Sequence, residues 1–262
     1  MKYFKKIIFL GVVLFLPSLI SYSFVEEKGS ENSVGPIDKG MKLGILVNNS
    51  IYKIYRTKNL GEDGLEDLEE YTKEKGLVFP KTIISMNHWG YKFPSYSSME
   101  EYQLKEKYDY KFYHSFGHGE RTYLDGYNPY YPTVDIDTTA KLGRKARKIF
   151  ELRNDGIDGG IDNFFKILRI VLDTKNQPVL FHCFGGRHRT GMIAMALRYM
   201  QGGKWTNGFY KEKKGIRMNL AQYEYYKFNR SLFRKENLEF IEQVKDDPRF
   251  IELKIQYGEL LQ

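Results

Sequence analysis

The change of pattern between residues 178 and 200 constrains the fold of this chain most. Residues 178–182 (PVLFH) form a short apolar run bounded by a proline, which is typical of a buried strand. Two glycines follow shortly, and residues 190–200 (TGMIAMALRYM) mix apolar and small side chains, as a packed helix does. The segment therefore predicts a strand, a short loop and a helix, with Cys183, the single cysteine among 262 residues, where the strand ends.

Similar patterns recur along the chain and predict its fold class. We expect strands over 51–56, 81–86 and 108–114, and helices over 64–75, 141–152, 161–172 and from about 221 onwards, interrupted at Pro248. Strands that alternate with helices predict an α/β fold, with a central, mostly parallel sheet flanked by helices. Ligands of such folds bind beyond the carboxyl ends of the strands, which is where Cys183 falls.

The first 23 residues predict a signal peptide. Residues 1–6 carry three lysines and no acid, and residues 7–20 form an apolar run too short to span a bilayer as a helix. The small residues Ser21 and Ser23 then suit a cleavage site. We expect an exported protein, periplasmic or secreted, with an uncleaved membrane anchor as the alternative. The rest divides into a linker over 24–45 and a domain over 46–262, with an insertion at about 87–150 and a helical C-terminal extension.

Composition narrows the class of partner. The formal net charge is +8, and the chain stays basic without its first 23 residues. A basic surface favours anionic partners, of which phosphates are the common case. No nucleic-acid-binding motif is present, so a nucleic acid partner is not expected. A single cysteine excludes an internal disulfide.

The loop after the predicted strand has the composition of an anion site. Gly185 and Gly186 allow a tight wrap in which backbone amides converge beside the N-terminus of the following helix. Arg189 can grip two oxygens of one phosphate, and the same positive field favours the thiolate form of Cys183. Thr190 can donate a hydrogen bond to the sulfur as it leaves, or it can simply cap the helix. A bound phosphate would then face a nucleophile.

These residues form a pattern that resembles a known family. Cys183, five residues, Arg189 and Thr190 read as C-x5-R-T, within the longer motif H-C-x-x-G-x-x-R-T-G. The motif resembles the signature of the cysteine-dependent protein tyrosine and dual-specificity phosphatases. Residues 54–76 and 81–86 look like the first strand, helix and strand of the compact dual-specificity type, and residues 176–183 look like its bacterial members, so the likeness covers roughly residues 45–205.

The resemblance implies roles for the loop residues. Cys183 would be the nucleophile of a phosphocysteine mechanism and Arg189 the phosphate clamp, while His182 would organise the loop from below. Substrate would bind along the loop, at Phe184, Gly185, Gly186, Arg187 and His188. No metal or other cofactor is expected, since His114 and His118 lie in a glycine-rich segment that does not suit a zinc-binding helix.

The family also needs a general acid on a separate loop about thirty residues before the cysteine. Asp155, 28 residues before Cys183, is our first choice, and Asp158 is the second. Asp135 and Asp137 are further candidates in the long segment before them. Each of these aspartates could instead be an ordinary turn or N-cap residue.

The sequence leaves the substrate open. Our first expectation is a phosphorylated protein, as for tyrosine and dual-specificity phosphatases. The basic pair Arg187 and His188 resembles relatives that act on inositol phosphates, and a signal peptide suits an exported, phytase-like enzyme. A non-catalytic phosphate-binding module is a third reading. A sulfur-transfer enzyme is a fourth, against which the Arg189–Thr190 pair argues.

Overall fold

The structure is a computed structural model that describes residues 40–86, 96–114, 160–213, 215–230 and 233–262. The strands are β1 (Gly44–Asn48), β2 (Lys53–Lys58), β3 (Thr82–Ser85), β4 (Lys111–His114), β5 (Val179–Cys183), β6 (Lys211–Lys213) and β7 (Ile216–Met218). The α-helices are α1 (Gly61–Glu74), α2 (Tyr96–Gln103), α3 (Gly160–Leu172), α4 (His188–Gln201), α5 (Leu220–Asn229), α6 (Lys235–Val244) and α7 (Pro248–Tyr257). Short 3₁₀ turns lie at Thr174–Asn176 and Gly203–Trp205.

Within the described residues, five strands form one sheet in the order β1-β2-β5-β3-β4. The pair β1–β2 is antiparallel, and β2–β5, β5–β3 and β3–β4 are parallel. The central strand β5 is buried along its whole length, as its uninterrupted apolar run predicts. Its carboxyl end lies beside those of β2 and β3, because Lys58 pairs with Cys183 and Ser85 with His182. The predicted α/β class with a mostly parallel sheet is confirmed.

Side chains that alternate along the strands serve two separate cores. From β5, Leu180 joins one apolar cluster with Leu65 and Leu68 of α1, whereas Val179 and Phe181 join the other. That second and larger cluster contains α3, α4 and the C-terminal helices. Helices therefore cover both faces of the sheet, with α1 on one side and α3 and α4 on the other.

The helix α4 lies in the centre of the larger core. Every residue from Arg189 to Gln201 is buried, which explains why this helix lacks a polar stripe. It packs against β5 and against α5, α6 and α7. The helix α4, which follows the loop after β5, is thus fixed in position by its packing in the core of the domain.

Several element boundaries differ from the sequence predictions for identifiable reasons. The strand predicted over 51–56 begins at Lys53, because the Asn49 side chain accepts hydrogen bonds from the amides of Ile51 and Tyr52 (3.0 and 2.7 Å) in a turn. Pro248 begins α7 at a position where a proline fits, with Asp247 as its N-cap. The strand β1, the helix α2 and the β6–β7 hairpin were not predicted.

The N-terminal boundary of the fold also differs. The predicted linker over 24–45 ends too late, because Met41 and Leu43 are buried in the smaller core and β1 begins at Gly44. The predicted signal peptide over 1–23 and the helix over 141–152 lie outside the described residues, as does most of the insertion over 87–150. Of the helices that the structure describes, none has the length and apolarity needed to cross a membrane.

Candidate active site

Cys183 ends the central strand β5 and opens the loop to α4, as the sequence predicts. Its side chain is buried, with a relative exposure of 5%, and it lines a pocket of about 550 Å³. Arg189, in the first turn of α4, lines the same pocket and donates a hydrogen bond to the carbonyl of Met86, just beyond β3. The predicted nucleophile and the predicted phosphate clamp therefore face one cavity.

The carbonyl groups of the loop all accept hydrogen bonds from the surrounding protein. The Phe184 carbonyl accepts a hydrogen bond from the Asn59 amide, and the Gly185 carbonyl accepts one from Lys42 Nζ at 3.1 Å. Within the loop itself, the Cys183 carbonyl accepts one from the Gly186 amide at 3.0 Å. A fourth joins Arg56 Nη2 to the Gly186 carbonyl at 2.8 Å, and a fifth joins the Gly191 amide to the Arg187 carbonyl at 2.8 Å. In a trans peptide the N–H points away from the C=O, so the amides that follow these carbonyls point to the opposite side, except that of Gly186, which already donates to the Cys183 carbonyl. This orientation suits an anion cradle.

Gly186 is required by the close approach of the loop to β2. Its φ is +61°, a left-handed conformation, and a Cβ there would lie 2.6 Å from the Thr57 carbonyl oxygen and 2.7 Å from the Lys58 nitrogen. Both neighbours are backbone atoms and cannot move aside. Gly185 has no such limit, because the nearest atom to a Cβ there is in the Arg187 side chain, at 3.6 Å.

The remaining predicted loop residues occupy different surroundings. Arg187 and His188 line the pocket, and Phe184 projects from its rim with 68% of its surface exposed. Thr190 is fully buried, and within the described part of the chain its hydroxyl makes no hydrogen bond. The hydroxyl is thus not occupied as a helix cap, which is compatible with its predicted role beside the sulfur.

Arg56 supports the loop from behind and was not predicted. Its side chain is fully buried, stacks on Phe228 at 3.7 Å and lies 3.8 Å from the carboxylate of Glu224. Glu224 also binds Arg198 of α4 at 2.8 Å. Burial lowers the pKa of Arg56 to about 10, because loss of solvent outweighs the favourable charges of Glu224 and Cys183. The sequence signal that could have identified Arg56 is its charge within the otherwise largely apolar strand predicted over residues 51–56 (IYKIYR).

His182 has a buried acidic neighbour. The Oε2 atom of Glu101, from α2, lies 3.1 Å from His182 Nε2, at an ion-pair distance but without hydrogen-bond geometry. Its Oε1 atom accepts a hydrogen bond of 2.8 Å from the Leu60 amide, where α1 begins. Both side chains are fully buried, which is compatible with the structural role below the loop that the resemblance implies for His182. Nothing in the sequence distinguished Glu101 from the other glutamates.

Two further lysines contribute to the pocket. Lys42, just before β1, and Lys58, the last residue of β2, line it together with Asn59 and Leu60. Neither lysine belongs to the signature loop, so motif reading could not find them. The predicted acids Asp155, Asp158, Asp135 and Asp137 lie outside the described residues.

Comparison with known proteins agrees with this geometry. Residues 141–258, which include the whole loop, match the family model described as "Tyrosine phosphatase family". The match covers 118 of the 262 residues, and the cysteine-dependent tyrosine phosphatase superfamily is the group of proteins that the chain resembles. The suggested bacterial exported, phytase-like branch of this superfamily stays a prediction.

Several curated members of this superfamily resemble the chain over short segments. Inositol diphosphatase DSP2 of Oryza sativa subsp. japonica is 41% identical over 21% of this chain and 30% of its own length. Inositol diphosphatase SIW14 of Saccharomyces cerevisiae is 34% identical over 31% of this chain and 25% of its own length. The chain thus spans less than a third of the length of either relative.

Among solved structures, the core catalytic domain of PP-IP phosphatase SIW14 from S. cerevisiae, in complex with citrate, is similar with a TM-score of 0.49 and 21% identity. The match covers 84% of this chain and 95% of that one.

Proposed function

We propose that this chain is a phosphomonoester hydrolase that works through a phosphocysteine intermediate. The observation that carries the proposal is the shared pocket of Cys183 and Arg189 at the carboxyl end of β5, under a loop whose carbonyls point outward. This arrangement offers a nucleophile, a guanidinium clamp and convergent amides to one phosphate, and a thiolate mechanism needs no further group for the attack.

The chemistry proceeds in two balanced steps. The Cys183 thiolate attacks phosphorus, a P–S bond forms, and the P–O bond to the leaving group breaks. The leaving oxygen takes a proton from a general acid, for which we propose Asp155, with Asp158, Asp135 and Asp137 as the alternatives. Water then attacks the phosphocysteine and gives a proton to the carboxylate that served as the acid, which restores it; the P–S bond breaks, and inorganic phosphate and the thiolate are released. Thr190 would stabilise the sulfur in this second step.

For the substrate, we favour inositol phosphates over phosphoproteins. Among the described residues, five basic side chains line the pocket: Lys42, Lys58, Arg187, His188 and Arg189. A broad, basic pocket suits a substrate with several phosphates better than the single phosphate of phosphotyrosine. The curated relatives named inositol diphosphatases support the same choice.

Phosphotyrosine remains a second candidate because of Phe184. This aromatic side chain is exposed at the rim of the pocket, next to the nucleophile, where it could stack on the ring of a bound tyrosine.

Phosphate release by the purified, reduced chain tests both candidates. Inositol hexakisphosphate and a phosphotyrosine peptide would be offered side by side without added metal, with Cys183→Ser as the control. We expect release from inositol hexakisphosphate at higher kcat/KM, and none from the variant. Binding without release from either substrate would favour the non-catalytic phosphate-binding module instead.

We also propose that the protein is exported, on the strength of the basic, apolar and small-residue pattern over 1–23. The intact mass of the protein isolated from its producing cell tests this proposal. A chain that begins near residue 24 is expected, and a full-length chain in the membrane fraction would favour the uncleaved anchor.

A further inference from the structure

Two lysines from outside the signature loop stand at the same end of the sheet as the nucleophile. Lys58 is the residue of β2 that pairs with Cys183 of β5, so the two lie side by side at the carboxyl edge. Lys42 reaches the loop from the segment before β1, with its Nζ 3.1 Å from the Gly185 carbonyl. Both lysines line the pocket that holds Cys183.

The backbone holds Lys42 in place at some conformational cost. Its φ is +55°, a left-handed conformation that few residues other than glycine adopt. The preceding carbonyl, that of Met41, accepts hydrogen bonds from the Thr57 hydroxyl (2.5 Å) and the Lys58 amide (3.1 Å). These bonds fix Lys42 against the end of β2, and a strained residue held by its surroundings is typical of functional sites.

The charges around Lys42 are crowded and share one sign. Its pKa is lowered, first by burial and then by the positive charges of Arg187 and Lys58, while Cys183 acts in the opposite direction. Among the described residues that line the pocket, none is a carboxylate that would neutralise these cations. An ammonium group has three donors, so Lys42 keeps two beyond the one given to Gly185.

A single phosphate does not need all of this charge. The loop amides and Arg189 would already surround one phosphate at Cys183, and the pocket of about 550 Å³ is in the size range of small-molecule sites. Lys42 and Lys58 would therefore face whatever lies beside the phosphate under attack.

We propose that Lys42 and Lys58 form a subsite for a second phosphoryl group adjacent to the scissile one, so that the enzyme selects substrates with two neighbouring phosphates. This inference rests on the proposed phosphatase function and adds the residues that set its specificity. The two phosphoryl groups can be joined as a diphosphate or bound to adjacent ring carbons. In both forms the substrate carries two negatively charged groups close together.

The ratio of kcat/KM for inositol hexakisphosphate to that for para-nitrophenyl phosphate tests the subsite. In Lys58→Gln, which leaves the Lys42–Gly185 bond in place, we expect the ratio to fall about 10-fold, as for loss of one charged contact. The Lys42→Gln/Lys58→Gln double variant should lose more. Lys175→Gln, an exposed lysine at the opposite end of β5, is the matched control and should keep the wild-type ratio. Equal losses on both substrates, or an unchanged ratio in the double variant, would overturn the subsite.

Binding measurements separate this inference from the phosphatase proposal. In a Cys183→Ser background, calorimetry should show weaker binding of inositol hexakisphosphate when the two lysines are replaced. That result would support the subsite even if the wild-type chain released no phosphate, and unchanged affinity would refute it. An inositol phosphate that carries a diphosphate, assayed in parallel, distinguishes the two forms of the pair. A larger loss for that compound than for inositol hexakisphosphate would indicate phosphates joined through one oxygen, and equal losses would indicate phosphates on adjacent ring carbons.

Discussion

The guanidinium of Arg56 donates a hydrogen bond of 2.8 Å to the carbonyl oxygen of Gly186. This bond connects the strand β2 to the middle of the loop that carries the nucleophile. Because Arg56 also approaches Glu224, which binds Arg198 of α4, one buried network holds both the loop and the helix behind it.

Replacing Arg56 should therefore damage both stability and turnover. In Arg56→Met, Gly186 loses its partner and the buried Glu224 loses one of its two cations, so we expect a loss of about 2–3 kcal/mol in the free energy of unfolding. We expect kcat to fall at least about 10-fold, since misplaced reacting groups cost rate steeply. Urea unfolding and phosphate release measure these effects. Arg56→Lys keeps the charge and should recover part of both, and a fully active Arg56→Met would contradict the role in the loop.

The loop glycines offer a matched pair of substitutions. Gly186→Ala combines a positive φ with a Cβ 2.6 Å from the Thr57 carbonyl, so we expect a loss of at least about 1–2 kcal/mol and a much reduced kcat. Gly185→Ala meets only a flexible side chain, so the stability should change little. Thermal unfolding and kinetics of both variants test the difference. Equal behaviour of the two would refute the account of the loop conformation.

Glu101 should be a stabilising residue although it is a fully buried acid. Glu101→Ala removes the acceptor of the Leu60 amide and the neighbour of His182, so we expect a loss of about 3 kcal/mol in the free energy of unfolding. Glu101→Gln keeps an acceptor and should lose less. The exposed Glu106 offers the control, because Glu106→Ala should change stability by less than about 0.5 kcal/mol. A Glu101→Ala variant as stable as that control would show that the buried contacts are energetically neutral.

The ionisation of Asp247 should make a pH-dependent contribution to the free energy of unfolding. Its hydrogen bonds with Arg249 lower its pKa below the ordinary value of about 4, and it caps α7. A lowered folded pKa stabilises the protein above about pH 4, and this stabilisation is lost as the pH falls through the folded pKa. Asp247→Asn should thus be less stable than wild type at pH 7, by about 0.5–1 kcal/mol, and this difference should shrink as the pH falls below about 4.

Urea unfolding at pH 7, 4.5 and 3 measures the Asp247 effect. Asp246→Asn, at the exposed neighbouring position, should show no such convergence. A difference between wild type and Asp247→Asn that stays constant across this range would exclude the charge of Asp247 as its cause.

The part of the site that is local in sequence was predictable. Strand, loop and helix follow directly from residues 178–200, so Cys183 and Arg189 lie where the motif puts them. Gly186 was identified for its conformational freedom, and the structure adds the backbone contact with β2 that requires it.

The unpredicted part depends on distant packing. Lys42 and Arg56 reach the loop across more than 120 residues of sequence, and Glu101 reaches His182 across 81. Such contacts depend on strand order and register, which no local pattern specifies. Lys42 in particular lies in what composition indicated to be a linker, since two buried apolar residues beside it are too few for a periodic signal.

Acid quenching of the enzyme during turnover, followed by mass spectrometry, tests the central claim most directly. The account predicts that one phosphoryl group is found on the peptide that contains Cys183, and that Cys183→Ala gives neither this adduct nor phosphate release. Phosphate release that persists in Cys183→Ala, or a phosphoryl group on another residue, would contradict it.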